Sequence, residues 1–587
     1  MSLCIGAAGC SKSTTAATSS SGILSSINIS AGDSETVGVA GTFIEMGDSI
    51  TVNGSGATVK DKQVTITAAG TYSIKGTIAE GQIVVNAGDK DKVYIILNGV
   101  NITSSTSAAI NVTNANKIVI STAADTKNYI KSTMAAAAAD TEPDAAIFSK
   151  ADLVFTGKGT LVVESTNNKG IAGKDDLKIE GGNITITSAA DGIKGKDSVV
   201  ITDGNIVINA GADGIQSSND TDADKGYILI EGGTVNITAV EDGLQGEVNT
   251  LIKAGNITIK TGGGSGNSST QETWGQWGQK PPGNATASSA TTEEDTASAK
   301  AIKAGMNIVI EGGTFNIDSS DDALHSKNNL VISGGAFNIA TGDDGIHADS
   351  TLTINKGTID ITKAYEGIES QTITIKDGDI KLVASDDGIN ASGGNDSSST
   401  NGRQGQNSFG STGDGVININ GGNISVNATG DGLDANGSIA MSNGNVVVNG
   451  PTNSGNGALD YDGTFEVTGG TLIAAGSSGM AQAPSTSSKQ NSVKIALAAQ
   501  AANTNIRITG ADGAEIISVT PSKEFASLVV SSAKLKTGST YKVYAGSTEV
   551  GSFTISTTVS EVTQAGASTG NMGGHGGAPG TPGERKQ

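Results

Sequence analysis

A short motif, Asp-Gly-Ile or a near variant, returns along this chain at a fixed interval. Its apolar anchors are Ile171, Ile193, Ile215, Leu244, Ile302, Leu324, Ile346, Ile368, Ile389, Leu433 and Leu459. Successive anchors are 22, 22, 29, 58, 22, 22, 22, 21, 44 and 26 residues apart, so the long gaps read as one unit plus an insertion. Weaker copies sit at Ile110 and Ile147. A fixed period of this size marks a solenoid, in which each repeat buries its apolar face on its neighbours. The unit from Asp191 reads DGIKGKDSVVITDGNIVINAGA. It holds three short segments of alternating polarity, separated by Asp-Gly and related pairs. Three strands per 22-residue unit, stacked in register, make one turn of a right-handed parallel β-helix. The chain is therefore expected to be all-β. A leucine-rich repeat would need a Leu-rich consensus that is absent. The column Ile184, Ile206, Val235, Ile257, Phe315, Phe337 and Ile359 should stack inside, at roughly 4.8 Å per rung.

Composition agrees with a core assembled layer by layer. Gly supplies 83 of 587 residues and aromatics only 3%. The periodic Ile and Val argue against disorder. Residues 1–45 read as a lipobox-like signal remnant and a Ser/Thr-rich tether. Small residues precede Cys10, the expected lipidation site. That places the protein outside the cell as a surface lipoprotein, touching membrane only through its anchor. The β-helix is expected over 46–476, with insertions at 219–225, 261–299 and 392–413. A linker (477–490), a small β-sandwich-like module (491–560) and a Gly/Pro-rich tail (561–587) follow.

Net charge is −22, with no basic patch, which excludes nucleic acid as a partner. An anionic partner needs a bridging cation. Two places before the anchors lie Asp191, Asp213, Asp242, Asp322, Asp344, Glu366, Asp387 and Asp431. Asp321, Asp343 and Asp386 double three of them. Like charges one rung apart repel by about 1 kcal/mol even in water. Raised pKa values, neighbouring lysines or bound cations would relieve this. Carboxylate and carbonyl oxygens favour Ca²⁺, whereas a single Asp-Gly is accounted for by turn chemistry alone. The insertion Asp220-Thr-Asp222-Ala-Asp224-Lys-Gly226 has the alternate carboxylates of a calcium loop, with Glu231 at its twelfth position. Lys225 stands where such loops have Gly. A solvated acidic turn is the alternative.

The residue after each anchor is expected to face outward. On this column His325, His347 and Glu369 are candidates for a sugar-binding stripe or a further metal site, as against an ordinary solvated ladder. The two tryptophans, Trp274 and Trp277, lie in an insertion and offer flat faces for sugar rings. Ca²⁺-assisted cleavage of a uronate polymer would need a lysine base. Lys194, Lys303 and Lys327 are the candidates, none in a distinctive motif.

Several strings, in order, carry a family resemblance: PDAAIFSKADL from Pro143, DGIKGKDSV from Asp191, NDTDADKGYI from Asn219, SAKAIKAG from Ser298, DDGIHADSTLTI from Asp343 and YEGIES from Tyr365. The chain resembles bacterial cell-surface carbohydrate-binding β-helix proteins, typified by a clostridial protein that binds cellulose and polygalacturonate. The resemblance runs from about Met46 to Ser560. It implies a calcium-bound parallel β-helix, distantly similar in fold to pectate lyases, that binds acidic polysaccharide. The expected function is calcium-dependent binding of acidic plant polysaccharide, with cellulose as a further ligand. A pectate lyase and a structural adhesin are the alternatives.

Overall fold

The computed structural model describes residues 29–138, 141–268, 298–392 and 413–564. They form a parallel β-helix, all-β apart from one 3-10 turn at Ser265–Asn267. The unit from Asp191 gives the strands Ile193–Gly195, Ser198–Ile201 and Asn205–Ala210. Each pairs in parallel with its counterpart one rung on, Ile193 facing Ile215, Val199 facing Ile228 and Ile206 facing Val235. Three sheets run the length of the solenoid; we call them first, second and third in the order one rung visits them. The first includes Ile110 and Ile147, so the weak upstream copies belong to the same column as Ile171. The predicted inner column from Ile184 to Ile359 is buried throughout. Within it the Phe315 and Phe337 rings stack 4.4 Å apart and nearly parallel.

Asp-Gly before each anchor is not a free turn. Its backbone lies in the inter-rung ladder: Gly192 N–H donates to the Asp213 carbonyl (2.9 Å) and Ile193 N–H to the Gly214 carbonyl (3.0 Å). Glycine is required there by close approach. A Cβ on Gly192 would come within 2.4 Å of Ile208 Cγ2 and 2.6 Å of the Gly214 carbonyl oxygen.

Both ends depart from the expected boundaries. Part of the supposed tether is packed against the solenoid. Ile29 and Ala31 cover an outward apolar stripe on the second sheet, formed by Val200, Leu229, Leu251, Val309 and Val331. Glu35 pins this strap through Lys92 (3.3 Å) and Lys117 (3.4 Å). Thr42–Met46 then starts the sheet, parallel to Gly70–Ala79 and antiparallel to Thr51–Asn53. At the far end, residues 477–490 are fastened to the last rung by Ser485 N–H to the Phe465 carbonyl (2.7 Å) and Lys489 N–H to the Val467 carbonyl (2.9 Å). The C-terminal module has two sheets. One is continuous with the solenoid, since Phe525–Ser532 pairs antiparallel with Thr471–Gly476. The other holds Ile506–Gly510, Glu515–Val519, Thr540–Ala545 and Thr548–Thr554. Antiparallel strands thus occupy edges that would otherwise template aggregation.

Phe315 and Phe337 are the two aromatic members of this buried inner column. Phe337→Ala should cost about 3–5 kcal/mol, read as a lower denaturant midpoint, with hydrogen exchange accelerated first in the two flanking rungs.

Candidate functional site

The repeated Asp lies at the entry to the first sheet. One carboxylate oxygen accepts the backbone N–H of the equivalent residue in the next rung. Asp213 Oδ1 accepts from Asp242 N (3.0 Å), Asp242 Oδ1 from Lys300 N (2.8 Å), Asp322 Oδ1 from Asp344 N (3.0 Å) and Asp387 Oδ1 from Asp431 N (2.6 Å). The column is therefore a structural stitch, and Asp suits it because its short side chain reaches only one rung.

What differs along the solenoid is the partner of the other oxygen. Early rungs use lysine or amide groups. Lys194 lies 3.9 Å from Asp191, Gln216 donates to Asp213 Oδ2 (2.7 Å) and Lys303 binds Asp242 (2.8 Å). Lys300 bridges Asp321 (2.7 Å) and Asp322 (2.8 Å). Burial opposes the charge of Lys300, but Asp322 and Asp321 outweigh it and hold the ammonium well above its usual range. Middle rungs use imidazoles. His325 Nδ1 meets Asp322 (2.7 Å); His347 Nδ1 meets Asp344 (3.2 Å) and Glu369 (2.7 Å), while its Nε2 meets Asp349 (3.1 Å).

Later rungs have neither. Asp387, Asp431 and Asp434 bring carboxylate oxygens within 4.8 Å of one another, each residue partly exposed. No lysine, arginine or histidine pairs with them among the described residues. Burial and then Asp460 and Asp386 push Asp431 up to about 7. Asp387 rises through burial and Asp386, and Asp434 through burial and Asp431. An early member shows the same strain: burial, then Asp242 and Asp191, push Asp213 up to about 7. An all-oxygen donor set without a counter-charge fits a hard cation such as Ca²⁺.

The other expected residues fall as follows. Asp343 joins Asp321 and Asp322 in a second group of converging carboxylates, which Lys300 already serves. Asp386 flanks Asp387 and raises it. Asp220, Asp222 and Asp224 stand exposed and do not converge. Asn219 Oδ1 folds their turn by accepting from Thr221 N and Asp222 N (both 3.0 Å), and Glu231 is committed to Lys253 (2.9 Å). The solvated acidic turn describes this segment better than a calcium loop.

The expected outward stripe is also different. His325 and His347 stack on each other, ring centres 4.8 Å apart, and His347 has no exposed surface. Glu369 is buried too, bound to His347 and to Ser392 Oγ (2.6 Å). These side chains turn toward buried carboxylates, so none presents a face to a sugar. Lys303 also binds Ser298 (3.2 Å), and Lys327 is exposed. Both, with Lys194, lie three or more rungs from Asp387. Trp274, Trp277 and Cys10 are outside the described residues.

Sequence reasoning placed Asp431 in the column but missed Lys300 and the pairing of Asp431 with Asp434. The signal for the pair was present: Asp at −2 and at +1 of a single anchor, Leu433, with Asp387 one rung earlier. Away from the ladder, a shallow polar groove of about 540 Å³ crosses rungs at Lys356, Thr358, Asp379 and Asn423.

Comparison with known proteins places this geometry in context. A family profile described as "Carbohydrate-binding domain-containing protein" matches residues 60–345 and 344–566. A protein of that description from Acetivibrio thermocellus is 37% identical over 137 residues, 23% of this chain and 48% of the relative, so the match spans about half of that protein's length. A solved polysaccharide lyase-like protein from C. thermocellum, in a gadolinium derivative, is 36% identical, with a TM-score of 0.36. That match covers 38% of this chain and 92% of the solved one. The family match takes in most of the solenoid and the C-terminal module, and the chain belongs to the carbohydrate-binding domain-containing family.

Proposed function

We propose that this is a calcium-dependent, cell-surface polysaccharide-binding protein for acidic plant polysaccharide of the polygalacturonate type. The observation that carries the reading is the Asp387–Asp431–Asp434 cluster in a carbohydrate-binding chain. Three carboxylates would hold Ca²⁺, which takes six to eight oxygen ligands and so keeps positions for uronate oxygens. A protein of net charge −22 needs such a bridge to meet a polyanion. The cluster is partly exposed, as a shared ion must be. Anchoring through a lipid on Cys10 would present the solenoid outside the cell. Cellulose, the neutral alternative, would depend on stacking by Trp274 and Trp277. Binding without cleavage is the favoured activity, because Lys303 is engaged with Asp242 and no expected lysine base adjoins the cluster.

Polygalacturonate binding should be seen in Ca²⁺ and fall at least tenfold in chelator, with no unsaturated product absorbing in the same tubes. Asp431→Asn with Asp434→Asn should reproduce the chelator result while leaving the far-UV spectrum unchanged. Product formation would make the protein a lyase. Binding indifferent to both calcium and the two substitutions would remove the cluster from the site.

Stability should report the same charges. Asp213 and Asp431 hold protons up to about pH 7 when folded but only to about pH 4 when unfolded. Their contribution is therefore complete below about pH 4 and lost as pH rises through about 7. Calcium-free protein should melt a few degrees lower at pH 8 than at pH 5. Saturating Ca²⁺ should narrow the gap through the Asp431 group, and Asp431→Asn should narrow it without calcium.

A further inference from the structure

We propose that His347, Asp344 and Glu369 form a second, buried metal centre that takes a divalent transition ion of the zinc class. The three residues lie on adjacent rungs and bring ligand atoms within 4.8 Å of one another, all buried. Asp344 is 1% exposed, and its Oδ1 is buried without a hydrogen-bond partner. The imidazole has three carboxylates in contact: Asp344 and Glu369 on Nδ1, Asp349 on Nε2. A protonated ring balances one of the buried carboxylates, Asp344 and Glu369, and leaves the other's charge within the buried group, while Asp349 is about a third exposed. The cations nearest in the ladder are already engaged, since Lys300 and His325 both bind Asp322. Net charge buried without a partner is costly, and a divalent ion supplies what is missing.

The donor set selects the ion. Calcium takes oxygen ligands, whereas one imidazole nitrogen with two carboxylates suits zinc and its neighbours. The ion would replace the Nδ1 proton. In a tetrahedral site with bonds of about 2.0–2.1 Å, neighbouring ligand atoms are roughly 3.3 Å apart. The Nδ1 to Asp344 distance of 3.2 Å already matches. The Nδ1 to Glu369 distance of 2.7 Å would open by roughly half an ångström. Asp349 on Nε2 is the outer-shell carboxylate that commonly orients a metal-bound histidine. The stacked His325 ring closes one side. The centre lies two rungs before the Asp387 cluster and differs from it in chemistry, so each can be tested without the other.

The test is zinc titration of the full chain in excess Ca²⁺, with Cys4 and Cys10 alkylated so that neither thiol binds. One zinc per chain should be retained, and Co²⁺ in its place should give the visible bands of a tetrahedral nitrogen–oxygen site. His347→Gln should weaken zinc at least tenfold, while Asp434→Asn should leave it unchanged. Should His347→Gln fail to fold, Glu369→Gln and the cobalt spectrum of the wild-type chain carry the same question. Absence of retained zinc, affinity unaltered by the His347 or Glu369 substitution, or zinc that follows His575 in a His575→Gln control would overturn the proposal.

Discussion

Each rung of this protein sits one strand spacing, about 4.8 Å, above the last, in strict register. That spacing makes every choice of residue a choice of column. An Ile that fits the interior in one rung fits it in the next, which is why Ile171, Ile193 and Ile215 can repeat without repacking the core. A glycine needed for close approach at 192 is needed again at 214, where a Cβ would meet Ile237 and the Gly243 carbonyl. The same geometry turns a helpful carboxylate into a line of like charges. Register therefore both builds the core and creates the electrostatic problem on the first sheet.

The stitch made by each aspartate explains why that problem is tolerated. Losing the side chain would leave the next rung's N–H without its acceptor, a cost comparable to a buried unmade hydrogen bond. The carboxylates are therefore kept and their charge is met differently along the axis. Lysines approach the early members, including Lys300 from the border of an insertion, and imidazoles the middle ones. From Glu366, which receives the Asn390 amide, no lysine, arginine or histidine pairs with the column among the described residues. Among the described residues the partner changes from lysine through histidine to no protein cation, unlike a uniform solvated ladder, and the last section is where a soluble cation has most to offer.

The period, the strand order and the inner columns were legible because register enforces repetition, so one unit could be read from its neighbours. Partners outside the repeat were not. Lys300 belongs to no column of lysines, and the strap at Ile29 and Ala31 lies far in sequence from Leu229 and Val309. The sugar-facing reading of the outward stripe, though not its metal reading, failed for a related reason. Period-two alternation says that His347 points away from the core, which it does, but says nothing of what then encloses it. Three carboxylates, one from the adjacent rung, close around a ring that alternation assigns to solvent. The Asp220 loop failed in the opposite way: its spacing suits an ion, yet Asn219 and Lys253 direct its backbone and its Glu231 elsewhere.

Exposure separates the roles of the two proposed metal centres more firmly than composition does. An ion shared with a polymer must keep open coordination positions and a path to them, as Asp387, Asp431 and Asp434 do. An ion at His347 would be sealed, so any effect on glycan binding would pass through the rungs themselves. Asp344 accepts nothing on Oδ1, and its backbone N–H is held by Asp322. Neutralising it would relax the column in both directions, toward Asp322 and toward Glu366. A buried ion in the middle of the ladder would thus set the rigidity of the surface on which the exposed one works.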